Sequence, residues 1–326
     1  MPVVYSQEDL RPLLASDDQF VALIDAVEGI LVQQHSGIAG HAIFCGLPLD
    51  TEPNAFKMYG ITGSGGATLR IFPGETNSVS TANTAYILVL DPETGGLEAI
   101  LAGDDLNPLR TSVPAGVGAR HLAPKGAKTV CILGSGEQAR GSARSVFRAL
   151  PELKELVVWS PTPANREKFA KEQAAFLEIE ARAVETAEEA VGAGDIVVAA
   201  GRTRGGQAAY EASWVKPGAL AISMTRSAPP ELLADGQYIS PTENRPQVVA
   251  IGFAGPGPKP AGGVQGAVEL ADVIAGKVPA RKSDDQTVVF ELANLYPWDH
   301  AVASWALGWA KDNAKGTTFA LTGETK

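Results

Sequence analysis

The chain has 326 residues, which is more than a single domain usually holds, so we expect two domains. Its formal net charge of −10 disfavours a nucleic-acid partner, because the phosphate backbone is also negatively charged. The N-terminus has no signal-peptide pattern, no apolar run approaches the ~18 residues of a membrane span, and the 2 cysteines form neither a disulfide framework nor a zinc site. We therefore expect a cytoplasmic protein with no membrane segment and no metal.

The first third of the chain mixes helices with strands. Ser6 and Ser16 each begin a capping pattern, which predicts two N-terminal helices. Residues 41–103 have the period of strands, separated by Gly, Pro, Asp and Thr, and DPETGG predicts a hairpin turn. Asn107 and Pro108 then form a good N-cap and first-turn pair, so we expect the next helix to begin there.

From Lys128 onward the sequence alternates apolar strands with polar helices. KTVCILG, ELVVWS, DIVVAAG and ALAISM have the composition of buried strands, and the segments between the first three have helical spacing. Such alternation predicts an α/β fold in which a doubly wound, Rossmann-type parallel sheet has helices on both faces. The Gly- and Pro-rich segment 251–263 that follows is either a plain surface loop or a mobile flap.

The strongest motif is the turn GSGEQA at residues 134–139, which directly follows a strand and opens a helix. Gly134 makes the tight turn, Gly136 lets the backbone approach a pyrophosphate, and the small Ala139 keeps the helix close to the sheet. The N-terminus of that helix adds N–H donors and a positive dipole. Because two more strand–helix units follow, the motif predicts a dinucleotide site rather than a chance Gly-rich turn.

The second strand of the sheet indicates which dinucleotide binds. In NAD sites this strand usually ends in Asp or Glu, which holds the ribose hydroxyls. Here it ends in Trp159-Ser160-Pro161-Thr162, with no acid, and Arg166 follows. Two hydroxyls and a guanidinium suit the 2′-phosphate of NADP(H), so we favour NADP(H) and keep NAD(H) as the alternative. In the other interpretation, Arg166 is only a solvated residue of the next helix.

Three residues outside the Rossmann part are candidates for the chemistry. Arg110, in the first turn after the Asn107 cap, adds its charge to the helix dipole and predicts a carboxylate site, unless it is an ordinary surface arginine. Lys57 interrupts an apolar strand, where it binds a substrate carboxylate, exchanges protons, or protects a sheet edge. Asp299 and His300 are neighbours on a helix and point apart, so we expect no acid–base dyad, and Asp299 can instead cap that helix.

The order and spacing of these features resemble the ornithine cyclodeaminase/mu-crystallin family over most of the chain. The segments that carry the resemblance are FKMYG with Lys57, DPETGGLEAILAG, LRTSVPAGVGARHLA with Arg110, ILGSGEQA, AGDIVVAAG, VKPGALAISM, and VVFELANLYPWDHAV with Asp299. The resemblance implies a homodimer. It also implies that residues 1–120 and 296–326 form an α+β substrate-binding and dimerisation domain, and that residues 121–295 form a Rossmann domain inserted into it.

The resemblance also assigns individual positions. Lys57 and Arg110 match positions at which the family binds the substrate carboxylate, and Thr111 matches a position near the cofactor. The remaining cofactor positions lie in the segments that follow strands of the Rossmann domain. The residues that we expect to contact the cofactor are Thr111, Gly134, Ser135, Gly136, Gln138, Ala139, Ser160, Thr162, Arg166, Ala200, Gly201, Met224 and Thr225.

Three positions depart from the family pattern. Thr225 stands where the cyclodeaminases carry a catalytic Asp, no Arg precedes Lys57 after Gly37, and Asn294 replaces the usual Gly. Without the Asp, amine elimination and ring closure lack their acid–base group. Reduction of a ketimine, or reductive amination of a keto acid, needs mainly a hydride and a positioned substrate.

We therefore predict an NAD(P)-dependent oxidoreductase that acts on the C–N bond of a small carboxylated substrate. Arg110 and Lys57 would hold the carboxylate, with Lys57 or a water supplying the proton and Asp299 as a third candidate of the site. One alternative is a cyclodeaminase of the ornithine or lysine type. The other is a mu-crystallin-like protein that binds NADPH and a ligand without turnover.

Overall fold

The computed structural model describes most of the chain. The described residues are 1–36, 42–48, 55–63, 65–73, 85–201, 209–224, 227–235, 237–240, 248–251, 268–292 and 296–320. The segment 251–263, apart from its first residue, and the positions Thr225 and Asn294 lie outside them, so the predictions for these positions stay predictions.

The chain forms nine helices and sixteen strands within the described residues. The helices are α1 (Gln7–Ala15), α2 (Asp17–His35), α3 (Leu106–Leu122), α4 (Glu137–Ala149), α5 (Pro163–Leu177), α6 (Ala187–Ala193), α7 (Pro230–Asp235), α8 (Leu270–Ile274) and α9 (Tyr296–Asp312), with a 3-10 turn at Ala212–Trp214. The strands are β1 (Val3–Tyr5), β2 (Ala42–Pro48), β3 (Ala55–Gly63), β4 (Gly66–Pro73), β5 (Tyr86–Leu90), β6 (Leu97–Ala102), β7 (Thr129–Leu133), β8 (Glu155–Trp159), β9 (Glu180–Ala183), β10 (Ile196–Ala199), β11 (Leu220–Ser223), β12 (Gln237–Ser240), β13 (Val248–Ile251), β14 (Val268–Glu269), β15 (Val288–Glu291) and β16 (Thr317–Thr318).

These elements divide into two compact units. The first comprises Met1–Arg110, Arg245–Gly262 and Leu295–Lys326, and the second comprises Thr111–Asn244 and Gly263–Asn294. Strand β13 pairs with β2 in the first unit, although it lies in the range that the sequence assigns to the Rossmann domain. The domain bounds drawn from the sequence stay a prediction.

The first unit is built on an eight-stranded mixed sheet with the order β13-β2-β3-β4-β5-β6-β1-β16. Strands β2 to β6 follow one another as an antiparallel meander. The predicted DPETGG turn joins β5 to β6, and Oδ1 of Asp91 accepts from the Thr94 backbone N–H (2.8 Å) there. Helix α9 packs on β3, β4 and β6 and against α1 and α2, so it covers the middle of the sheet.

The second unit has an eight-stranded sheet with the order β14-β12-β15-β11-β10-β7-β8-β9, in which every pair is parallel. Strands β10, β11 and β15 are buried at every residue, as expected of parallel strands that are covered on both faces. This is the doubly wound α/β fold predicted from the alternation of strands and helices. Its core includes Cys131, Val157 and Val197, one from each of three neighbouring strands.

Helix α3 begins one residue earlier than the sequence predicts, and this changes the role of Asn107. Its first residue is Leu106, and the Asn107 backbone N–H donates to the Gly103 carbonyl oxygen (2.8 Å). Asn107 therefore lies inside the first turn, and its side-chain oxygen accepts hydrogen bonds from Arg70 and Arg110. The predicted Asn107 cap was wrong, because its N–H already bonds one turn back and its side-chain oxygen is used by Arg110 and by Arg70 of β4.

Among the described residues, no helix is both long and apolar enough to cross a membrane. Over the same residues, no three His, Cys, Asp or Glu side chains come together as a metal site would require.

Candidate active site

The glycine turn of the second unit has the shape of a dinucleotide cradle. Gly134 has a φ of +123°, which side chains other than glycine rarely adopt, and its N–H donates to the Trp159 carbonyl oxygen (2.8 Å). A Cβ at Gly134 would stand 3.1 Å from the Gly201 backbone nitrogen, whereas Gly136 has open space where its Cβ would be. Ala139 is fully buried behind the turn. The turn is therefore tight on one side and open on the other.

The residues around this turn fit a nicotinamide dinucleotide. Gly136 is the N-cap of α4 and has no side chain to block a pyrophosphate that approaches the helix N-terminus. Oε1 of Gln138, in the first turn of α4, is buried and has no hydrogen-bond partner among the described residues. Ser135 donates its hydroxyl to Oγ of Ser160 (3.0 Å), which ties the turn to the end of β8. A buried amide oxygen without a donor is what a bound cofactor would satisfy.

At the end of β8, the side chain of Thr162 is available to a cofactor, whereas that of Arg166 already has partners in the protein. Thr162 is exposed and caps α5 without using its side chain, so its hydroxyl is available to a ligand. Arg166 is buried, and its Nη1 donates to the Ser160 carbonyl oxygen (3.2 Å). Its Nη2 is 2.6 Å from the carboxylate of Glu185, which is 85% exposed. The guanidinium predicted to bind a 2′-phosphate is thus already paired, although with a carboxylate that lies almost entirely in water.

Sequence reasoning did not identify Arg140, which also holds the glycine turn. Its Nη1 donates to the Ser135 carbonyl oxygen (2.8 Å), and its Nη2 pairs with Glu172 (2.8 Å). The guanidinium also lies 5.5 Å from the ring centre of Phe169 on α5. The sequence offered only an arginine in the first turn of a helix, and its contacts depend on how α4 and α5 pack.

Two further strands end at the same edge of the parallel sheet. Ala200 follows β10, and its N–H donates to the Leu133 carbonyl oxygen (3.0 Å), while Gly201 comes next and is half-buried. Met224 follows β11 and is buried. These three predicted cofactor residues therefore lie where the carboxyl ends of parallel strands meet, the usual ligand edge of such sheets.

A buried acid at that edge was also missed by the sequence. Glu291, at the end of β15, is 4% exposed, and its Oε1 accepts from the Ser223 hydroxyl at the end of β11 (2.7 Å). The Ser227 backbone N–H donates to that Ser223 oxygen (2.7 Å). The chain thus holds a carboxylate at the β11–β15 edge, although Thr225 replaces the family's Asp in the sequence.

In the first unit, the Arg110 guanidinium contacts neighbouring side chains through its Nε. Its Nε donates to Oδ1 of Asn107 (3.1 Å) and lies 3.5 Å from Oδ1 of Asp299. Within the part of the chain that the structure describes, its two terminal nitrogens contact no protein acceptor, and the side chain is 17% exposed. Planar carboxylates bind the terminal nitrogens of arginine through two parallel hydrogen bonds. The geometry of Arg110 is therefore suited to a carboxylate ligand.

Asp299 and His300 have different partners, as their adjacency on α9 predicts. Asp299 is 3% exposed, and its Oδ1 also forms an ion pair with Nε of Arg70 (3.2 Å) on β4. His300 packs against Gly63 of β3, and its Nε2 lies 3.4 Å from Oγ of Ser304. The structure therefore brings Asp299 to Arg110, and it adds Arg70, which sequence reasoning missed. Removing one partner of such a buried pair typically costs about 3–5 kcal/mol.

Of the other predicted residues, Thr111 follows Arg110 on α3, as the first residue of the second unit. Lys57 lies on β3, where its backbone pairs with Gly46 and Phe72, and its side chain lies outside the described part of the chain. Its role in the site stays a prediction.

The chain is similar to known proteins in sequence and in fold. The sequence profile of the ornithine cyclodeaminase/mu-crystallin family matches residues 64–305. The chain belongs to this family. Among its family relatives, the ketimine reductase mu-crystallin of Mus musculus is 28% identical over 247 residues, which are 73% of this chain and 74% of the mouse protein. The Δ1-pyrroline-2-carboxylate reductase of Bacillus cereus is 35% identical over 112 residues, 34% of each chain.

A solved structure supports the fold. The Δ1-pyrroline-2-carboxylate reductase of Thermococcus litoralis, in complex with NADH and L-proline, superposes with a TM-score of 0.79 at 21% identity. The alignment covers 97% of this chain and 100% of the other. The family resemblance and the fold class predicted from the sequence are both confirmed. Lys57 precedes the segment that matches the family, whereas Arg70, Arg110 and Asp299 lie within it.

Proposed function

We propose that this member of the family is a nicotinamide-dependent reductase that acts on the C=N bond of a small carboxylated imine. The observation that carries the proposal is the guanidinium of Arg110, held at Nε by Asn107 and Asp299 with both terminal nitrogens available. The named activities of the mouse and B. cereus relatives support the same class of reaction. Reductive amination of a keto acid uses the same binding groups, since it passes through an imine.

Arg110 would bind and orient the substrate carboxylate. A two-point, charge-assisted contact fixes the plane of the carboxylate, and with it the neighbouring C=N carbon. Asp299 lies behind Arg110 and holds its Nε, so the guanidinium presents its outer edge. Lys57 or a water would give the proton to the substrate nitrogen.

The glycine turn would hold the cofactor, with Gly136 and the α4 N-terminus at the pyrophosphate and Ser160 and Thr162 at the adenosine ribose. When bound, the reduced nicotinamide supplies a hydride to the imine carbon. We favour NADP(H) over NAD(H), because Arg166 can exchange its exposed partner Glu185 for a 2′-phosphate at little cost. Glu185 returns to water when it leaves, and the phosphate keeps the buried guanidinium paired.

The first sheet supports the proposed homodimer. Its face opposite α9 carries two rows of apolar side chains in register, all half-buried except Tyr86, which is 50% exposed. They are Leu69, Leu88 and Ile100 in one row, and Met58, Ile71 and Tyr86 in the other. An apolar sheet face of this kind is stabilised when a second copy covers it. We place the dimer in the cytoplasm.

The test follows the absorbance of NADPH and of NADH with five- and six-membered cyclic ketimine carboxylates, and with keto acids plus ammonia. We expect oxidation of the cofactor with a ketimine, and loss of that activity in Arg110→Gln. Release of ammonia from ornithine or lysine without net oxidation of the cofactor would instead establish a cyclodeaminase. Tight NADPH binding with neither reaction would make the protein a carrier.

A further inference from the structure

Arg70 is a charged residue at a position that packing alone would fill with an apolar one. It lies in the middle of β4 and is 2% exposed. Its guanidinium carbon is 5.0 Å from the ring centre of Tyr59 and 4.5 Å from that of Phe72. These two rings fix the plane of the guanidinium, since cations favour the faces of aromatic rings. Burying a cation is unfavourable unless its partners compensate, so the position calls for a reason other than packing.

The partners of Arg70 are also the partners of Arg110. Nε of Arg70 is 3.2 Å from Oδ1 of Asp299, and its Nη1 donates to Oδ1 of Asn107. Arg110 reaches the same two oxygens through Nε alone, at 3.5 Å and 3.1 Å. Two guanidinium groups thus share one carboxylate and one amide oxygen.

The three charged side chains of this cluster that the structure describes are two arginines and one aspartate. Arg70 and Arg110 contribute two positive charges and Asp299 one negative charge, so these three side chains carry a net charge of +1. Their exposed fractions are 2%, 17% and 3%, which makes Arg110 the member that solvent and ligands reach. An anion at Arg110 would neutralise the cluster, and a low-dielectric surrounding strengthens that attraction.

We infer that Arg70 is the positioning residue of the carboxylate site. The inference rests on the proposed function, in which Arg110 binds the substrate carboxylate. Arg70 contacts Oδ1 of both Asp299 and Asn107, and Arg110 contacts the same two oxygens through Nε. Without Arg70, Asp299 would take the terminal nitrogens of Arg110 into a two-point ion pair, the arrangement that arginine and carboxylate favour. Arg70 thereby keeps the outer edge of Arg110 available to the ligand.

The charges make a test possible that separates this role from a structural one. Arg70→Met lowers the charge of the cluster from +1 to 0, and Asp299→Asn added to it restores +1 while keeping the shape of the side chain. We expect Arg70→Met in the full-length chain to weaken the binding of L-proline and pyruvate, measured by calorimetry, by at least roughly tenfold. The double variant should return to within roughly threefold of the wild type. The KM for the ketimine should follow the same pattern, while NADPH affinity stays constant.

Two further variants complete the design. Arg11→Met makes the same change at an exposed position of α1, and should bind the carboxylates within roughly twofold of the wild type, since isolated surface charges act weakly. Arg70→Lys keeps the charge but reaches one acceptor instead of two, so its loss should be smaller than that of Arg70→Met. It also tests the inference should the methionine variant fail to fold.

The outcomes that overturn the inference are distinct from those that overturn the function. If the wild type reduces ketimines but Arg70→Met and Arg70→Lys leave KM and calorimetric affinity unchanged, Arg70 has no role in the site. If the double variant binds more weakly than Arg70→Met, its role is structural, because removing a second partner then only adds to the loss. If the wild type neither binds carboxylates nor oxidises NAD(P)H, the proposed function fails and this inference fails with it.

Discussion

The two glycines of the cofactor turn should respond differently to alanine. At Gly134 the φ of +123° is strained for any other residue, which costs about 1–3 kcal/mol. The new Cβ would also stand 3.1 Å from the backbone nitrogen of Gly201 and 3.3 Å from two other backbone atoms, and such crowding costs about 1–3 kcal/mol more. We therefore expect Gly134→Ala to lower the free energy of unfolding by about 2–6 kcal/mol, a large part of the ~5–15 kcal/mol that folded proteins have.

At Gly136 the backbone has φ −86° and ψ −167°, which alanine adopts without strain, and no atom of the described residues lies within 4 Å of the added Cβ. We expect Gly136→Ala to change the free energy of unfolding by less than about 1 kcal/mol. The same Cβ would occupy the space through which a pyrophosphate approaches α4, so the NADPH affinity should fall by roughly tenfold or more.

Urea unfolding and NADPH fluorescence titration, applied to both variants and the wild type, measure the two effects separately. The expected result is a stability loss confined to Gly134→Ala, and an affinity loss in Gly136→Ala at unchanged stability. If Gly136→Ala binds NADPH like the wild type, the turn does not contact the pyrophosphate. If Gly134→Ala is as stable as the wild type, the strain assigned to this position is wrong.

Three other predictions follow from single side chains. Glu185→Gln removes a negative charge beside Arg166. The ratio of kcat/KM for NADPH to kcat/KM for NADH should therefore rise by roughly three- to tenfold, in line with about 1 kcal/mol for an exposed charge. An unchanged ratio would place the 2′-phosphate elsewhere. Arg110→Gln should raise the KM for the ketimine by roughly a hundredfold with unchanged NADPH affinity, since losing a two-point charged contact costs about 2–5 kcal/mol. An equal loss of ketimine affinity and NADPH affinity would contradict the carboxylate role. Burial raises the pKa of the Cys131 thiol and of the Tyr210 hydroxyl, so both stay protonated in the native state. These two groups should therefore not change the free energy of unfolding below about pH 8.5. At higher pH the unfolded chain loses these protons, so the free energy of unfolding should decrease. Urea titrations over a pH series, with Cys131→Ala for comparison, check this.

The cofactor turn could be predicted from the sequence because its determinants are local. Gly134, Gly136 and Ala139 lie within six residues, and the strand before them and the helix after them have clear patterns. The carboxylate site could be predicted only in part, because its members come from β4, α3 and α9. Which of the many arginines meets Asp299 depends on strand register and on helix packing, and neither follows from the spacing of residues along the chain.

The same limit explains the two interpretations that the structure changed. Arg166 was predicted to bind a 2′-phosphate or to be a solvated helix residue, yet it is buried, and β9 lies beside β8 and brings Glu185 to it. Asn107 was assigned a cap, since Asn before Pro is a frequent helix start, but Leu106 already lies in the helix. In both cases the local pattern was real, and a contact from another segment decided the role of the side chain.

Strand β4 shows what a simple hydrophobic pattern would conceal. Its sequence alternates polar Thr68 and Arg70 with apolar Leu69 and Ile71, which would ordinarily place the apolar pair in the core. The structure has the reverse, with Thr68 at 1% and Arg70 at 2% exposure, while Leu69 and Ile71 are half-buried on the other face. A strand can keep this pattern when its polar face serves a buried site and its apolar face is covered by a second copy.

The two faces of β4 can therefore be tested separately. Ile71→Glu places a charge on the apolar face, and should convert the proposed dimer to monomers in sedimentation or light scattering, since burying an unpaired carboxylate in an interface is strongly unfavourable. Its neighbour in sequence, Arg70, points to the opposite face, so Arg70→Met should leave association unchanged while it weakens carboxylate binding. If Ile71→Glu leaves the molecular mass unchanged, a second copy does not cover this face. The reversed pattern of β4 would then need a different explanation.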